Sequence, residues 1–100
     1  MNMQQMMIQA QKLQRELKKA KEQLAAQEFT VSKSGLVTVK MTGDRVITSI
    51  TIDEEGFDKD NKEMVEELLA AAINELYESI LEAEEEIEEK ITGRKGGLPF

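Results

Sequence analysis

An uninterrupted heptad stripe opens the chain and constrains everything behind it. Met3, Met6, Ala10, Leu13, Leu17, Ala20 and Leu24 follow one another at spacings of 3, 4, 3, 4, 3 and 4, with no glycine or proline among them. That is the a/d pattern of a helix whose narrow apolar face meets another helix. A helix over residues 2–27 is about 39 Å long. A compact domain of 100 residues has a radius of gyration of only about 13 Å. The helix is therefore expected to overrun its own domain and to pair with a partner helix. Leu13, Leu17, Ala20 and Leu24 are the expected seam or dimer packing, and Met3, Met6 and Met7 read as end or seam packing.

At Phe29 the period changes to two. Phe29, Val31 and Lys33 alternate with Thr30 and Ser32 up to a Ser34–Gly35 break, and Val37, Val39 and Met41 alternate with Thr38 and Lys40. After a Gly43–Asp44 turn, Val46, Thr48, Ile50 and Ile52 alternate with Ile47, Ser49 and Thr51. Three short strands with tight turns predict an antiparallel meander, one face of which must be covered by helices. The acidic segment 53–60 that follows is no calcium loop. Counted from Asp53, Phe57 and Met64 fall where the fifth and twelfth positions need oxygen ligands. It reads as a strand-to-helix loop, with Asp60 as N-cap and Glu63 completing a capping box.

The second helix is expected over about residues 61–91. Its apolar face is wide at Met64, Val65, Leu68, Leu69, Ala72, Ile73, Leu76 and Tyr77, then narrows to Ile80, Ala83, Ile87 and Ile91 among glutamates. Such a helix enters a core and then leaves it. The expected fold is thus α+β: helix, three-stranded antiparallel meander, helix (αβββα). Residues 1–92 make one domain and residues 93–100 a flexible tail.

Composition narrows the function. The chain has no cysteine and no histidine, which excludes disulfides, thiolate nucleophiles, Cys/His zinc sites and a Ser-His-Asp triad. The carboxylates of Glu82–Glu89 have no histidine to complete a metal site and read as a solvated face. No enzyme, metal or cofactor is expected. The glycines of the tail match neither a phosphate loop nor a dinucleotide fingerprint. The longest apolar run, Leu68 to Ile73, falls far short of the about 20 residues a membrane span needs, and the N-terminus lacks a signal-peptide core. A cytoplasmic chain without membrane or small-molecule partners is the expectation.

The net charge of −7 conceals a polarised chain. Residues 1–27 carry Lys12, Arg15, Lys18, Lys19 and Lys21 against Glu16 and Glu22, whereas residues 61–91 hold eleven glutamates against Lys62 and Lys90. In heptad terms Lys12, Arg15, Lys18 and Lys19 fall at c, f, b and c, opposite the seam, where they are free to meet phosphates. No aromatic residue stands among them, so stacking on single-stranded bases is not expected. Arg94 and Lys95 add a basic increment in the tail.

Four blocks in this order resemble a known family, the YbaB/EbfC nucleoid-associated proteins of bacteria. They are Gln9-Ala10-Gln11-Lys12-Leu13-Gln14, Gly35-Leu36-Val37-Thr38-Val39, the segment from Ile52-Asp53 through Asp60-Asn61-Lys62-Glu63-Met64 to Leu69-Ala70-Ala71-Ala72-Ile73-Asn74, and the Gly97-Leu98-Pro99-Phe100 ending. The resemblance covers nearly the whole chain. It implies a homodimer whose sheets associate and whose helices project in pairs like tweezers. It also implies binding to double-stranded DNA through those arms, with a role in nucleoid organisation or gene regulation. The family's arm-tip contacts map onto the opening helix here, because the second helix is so acidic. The competing expectation is a coiled-coil adaptor or chaperone-like clamp whose acidic arm holds a basic protein.

Overall fold

The structure, a computed structural model, describes residues 2–93. The elements come in the expected order: α1 (Met3–Ala26), β1 (Glu28–Lys33), β2 (Val37–Thr42), β3 (Ile47–Ile52) and α2 (Lys62–Thr92). Helix α1 starts at Asn2, whose side chain accepts a hydrogen bond from the Gln5 backbone N–H at 2.8 Å and satisfies one of the helix's unpaired donors. With no glycine or proline to stop it, it runs for 24 residues. The result is elongated, 69 × 20 × 16 Å with a radius of gyration of 19.2 Å, about half as much again as a compact domain of this length.

The sheet is an antiparallel meander in the order β1-β2-β3. Ser34 and Gly35 lie at φ 55° and 65°, the two central residues of a tight turn that the Leu36 N–H closes on the Lys33 carbonyl at 3.0 Å, within a three-residue connection between the strands. Along β2, Val37, Val39 and Met41 are buried. Val39 and Met41 pack with Ala72, Leu76 and Ile80 of α2, and Phe29, Val31, Leu69 and Ile73 flank that cluster. The wide apolar face of α2 is thus spent on β1 and β2.

Strand β3 departs from simple alternation. Lys40 pairs with Ser49 but Met41 pairs with Ile47, so Thr48 is an extra residue in a bulge. The bulge carries Ile47 onto the face of Ile50 and Ile52, whereas strict alternation places it on the other. Ile47, Ile50 and Ile52 therefore stand opposite Met41, Val39 and Val37, and cross-strand partners share a face. Helix α2 lies over β1 and β2 and barely reaches β3. In consequence Ile47 is 40% exposed and Ile50 49%, against 0% for Met41 and Val39.

The loop after β3 corrects the expected helix cap. Two short 3-10 turns, Glu54–Phe57 and Lys59–Asn61, carry the chain into α2. Their caps are Asp53, which accepts from the Glu55 N–H at 3.1 Å, and Asp58, which accepts from the Asp60 N–H at 2.9 Å. Asp60 lies within the second turn rather than capping α2. Asn61 holds the cap position without a side-chain cap bond, and its amide donates to the Glu55 carbonyl at 2.9 Å instead. Two successive aspartate-led turns thus occupy the residues that a single capping box would have used.

Beyond Ile80, α2 leaves the sheet and runs antiparallel to α1. Leu17 and Leu24 of α1 are buried, Ile87 and Ile91 of α2 are half-buried, and Lys21 Nζ meets Glu88 Oε1 at 3.2 Å. Over this stretch the partner helix of the α1 stripe is the chain's own α2. The turn between β2 and β3 fixes the root of the pair. The Gly43 N–H donates to the Gln27 carbonyl at 2.9 Å, and a Cβ on Gly43 would stand 2.0 Å from the Leu24 carbonyl oxygen. Only glycine permits that approach. Two residues on, Arg45 forms a two-pronged pair with Glu84 at 2.6 and 3.2 Å.

Candidate nucleic-acid interface

Helix α1 divides into two stretches. From Leu17 to Ala26 it lies against α2 and the sheet. From Met3 to Glu16 it stands clear, and every residue there is exposed except Ala10 and Leu13, which are half-buried. Of the four expected seam residues, Leu17 and Leu24 are buried inside this chain and Leu13 and Ala20 are half-buried.

The cations divide by the face of the helix they stand on rather than by stretch. Lys21, at heptad position e beside the seam, is taken up by Glu88. Lys33, Lys40, Arg45 and Lys62 are paired likewise with Glu75, Glu28, Glu84 and Glu66. Lys12, Arg15, Lys18 and Lys19 are exposed, and none is in an ion pair among the described residues. Lys12, Arg15 and Lys19 lie at i, i+3 and i+7, one stripe pointing away from the seam, with Lys18 beside it. Cations without a carboxylate partner meet phosphate oxygens without first breaking a pair. Arg94 and Lys95 lie outside the described residues.

Helix α2 has the opposite character. Glu84 and Glu88 turn toward Arg45 and Lys21. The hydrogen bonds from Arg45 hold the Glu84 carboxyl below the usual carboxylate range, against the opposing effect of partial burial. Glu82, Glu85, Glu86 and Glu89 line one outward hollow. A polyanion is attracted to the first surface and repelled by the second. The pairing of Arg45 with Glu84, 39 residues apart, has no signal in the sequence. The e position of Lys21 is a signal, since that position flanks the seam and faces the partner helix.

Among the described residues no helix is long and apolar enough to cross a membrane. A model of the YbaB/EbfC DNA-binding family matches residues 1–95. A nucleoid-associated protein of Mycoplasmopsis pulmonis is 41% identical over 100 residues, covering 100% of this chain and 97% of that protein. One from Chloroflexus aurantiacus is 42% identical over 100 residues, covering 98% of this chain and 99% of that protein. A third, from Streptococcus sanguinis, is 41% identical over 101 residues, covering 100% and 99%.

Proposed function

The chain belongs to the YbaB/EbfC DNA-binding family, and from that premise we propose that it is a dimeric nucleoid-associated protein that grips double-stranded DNA with the outward face of α1. The observation that carries the reading is the division of charge. Lys12, Arg15, Lys18 and Lys19 have no carboxylate partner among the described residues, while four of the other cations are tied to glutamates on neighbouring elements. These contacts go to phosphates, so by themselves they give little sequence selectivity and their affinity falls steeply with salt. Broad, salt-sensitive binding suits a role in nucleoid organisation or gene expression.

The dimer is supported by β3. Its isoleucines face the same way as the buried residues of β2, yet among the described residues no element covers Ile47 and Ile50. An open edge strand with a bare apolar face calls for a second copy. Light scattering should give about twice the chain mass at micromolar concentration. Ile50→Lys should shift the protein to monomer while helix content is retained, and a parent that stays monomeric at high concentration sinks the dimer.

The DNA reading is tested by fluorescence anisotropy on a duplex across a salt series. Replacing Lys12, Arg15, Lys18 and Lys19 by Gln should weaken binding and lower the salt slope by about one unit for each phosphate that is no longer neutralised. Unchanged affinity at every salt concentration overturns the front-arm assignment. The outward acidic hollow of α2 supports the alternative, a clamp for a basic protein. That alternative takes precedence if the parent shows no duplex binding.

A further inference from the structure

We infer that the free end of α1 enters the major groove of duplex DNA and reads A·T pairs through Gln4, Gln5, Ile8 and Gln11. The inference rests on the DNA reading above and adds what the uncharged end of the arm does. Charged side chains are absent from residues 1–11, and the first cationic side chain is that of Lys12. In their place stand Asn2, Gln4, Gln5, Gln9 and Gln11, interspersed with methionines and Ile8.

Ile8 is an aliphatic residue on the otherwise polar outward face of α1. It falls at heptad position f, the position of Arg15 and Glu22, on the side of α1 that points away from the seam, and it is 56% exposed. Neither the α1–α2 seam nor the sheet gives it a role. Gln4 and Gln11 lie on the same side, at i−4 and i+3 from Ile8, with Gln5 next to them. Arg15 continues that line one turn further on. The outward face of α1 is therefore amide and aliphatic at its free end, then cationic behind.

The dimensions fit one groove. Residues 3–14 extend about 18 Å past the stretch that α2 accompanies among the described residues, since Lys21 meets Glu88 and α2 ends at Thr92. A helix with its side chains is about 10–12 Å across, and the major groove is about 12 Å wide. The minor groove, about 6 Å wide, does not admit it. Within the major groove a glutamine amide donates to and accepts from the adenine edge in a two-pronged contact, and an aliphatic side chain packs on the thymine methyl. Lys12, Arg15 and Lys19, one to three turns behind, then lie at the groove's phosphate rim.

The test is anisotropy at fixed salt with four duplexes of equal length. One is A·T-rich and one G·C-rich. The other two are the A·T-rich duplex with uracil replacing thymine, or with 7-deazaadenine replacing adenine. The parent should bind the A·T-rich duplex roughly tenfold tighter than the G·C-rich one, and each analogue should remove part of that preference. The variant Gln4→Ala, Ile8→Ser, Gln11→Ala, altered only at exposed positions, should bind all four duplexes alike and keep the parent's salt slope. Distamycin, which fills the minor groove, should leave parent binding intact. Salt-dependent binding that is indifferent to the analogues, or that distamycin abolishes, overturns the major-groove inference and leaves the phosphate binding standing. An absence of duplex binding at every salt concentration overturns the underlying DNA reading instead.

Discussion

Met3 and Leu24 occupy the same heptad position at opposite ends of α1, yet Met3 is 78% exposed and Leu24 only 6%. Between them the helix changes from a free arm to a packed one. The inner stretch has its leucines buried and its seam-side lysine, Lys21, paired with Glu88. The outer stretch has exposed methionines and, among the described residues, cations outside any ion pair. An apolar stripe records that a helix is able to pair. Where the pairing ends is decided elsewhere, here by the length of α2. Substitutions along the arm should therefore cost stability near the sheet and nothing toward the tip, where they cost only binding.

The largest effect should come at the root. Gly43→Ala drives a methyl group into the Leu24 carbonyl, a backbone atom that cannot rotate away. The loss should be about 3 kcal/mol, read from the urea midpoint. Gly35→Ala, at positive φ but in open space, should cost only about 1 kcal/mol. If the two variants rank the other way, the packed half of the arm does not depend on that close approach.

Next come the matched a positions. Leu24→Ala and Leu17→Ala should each cost about 2–3 kcal/mol by leaving a cavity. Met3→Ala and Met3→Asp should both fall within about 0.5 kcal/mol of the parent. Thermal melts check all four. A destabilising Met3→Asp would mean that the outer stretch is covered after all.

The smallest effect belongs to the brace between Arg45 and Glu84. The pair is about one-third exposed, with side-chain values of 37% and 32%, so solvent screening limits Glu84→Gln to about 0.5–1 kcal/mol at neutral pH. Arg45 lowers the folded-state pKa of Glu84. The carboxylate therefore stabilises the fold fully above its unfolded pKa, and that contribution disappears as the pH falls through the folded value. Urea midpoints of parent and Glu84→Gln should differ near neutrality and converge in acid. A gap that persists at low pH assigns the loss to packing.

Sequence periodicity is a reliable guide where one pattern runs long. The expected helix at 2–27 lies at Met3–Ala26, and the one at 61–91 lies at Lys62–Thr92. The bulge is illegible because Val46 and Ile47 are adjacent and both apolar, so either satisfies an alternating register. The cap is misplaced because Asp53, Asp58 and Asp60 are all able to cap, and only the tertiary path selects between them. The basic stripe can be read from heptad positions alone. Which cations are neutralised cannot, since Lys33, Lys40 and Arg45 find glutamates on other elements. Ile8 escapes for a simpler reason: an isolated aliphatic residue on a polar face carries no period.

Gly43 bears on the main chain of α1 rather than on a side chain, and that makes the turn a fulcrum. A rod about 36 Å long, held at one end, converts a tilt of about 5° into about 3 Å of travel at the other. That displacement is close to the roughly 3.4 Å between successive bases on one strand. In a pair of such rods, the separation of the tips would be geared to the shape of the hairpin turn at their root. A lineage could then change the spacing of its arms by altering one loop, leaving the exposed face of α1 as it was.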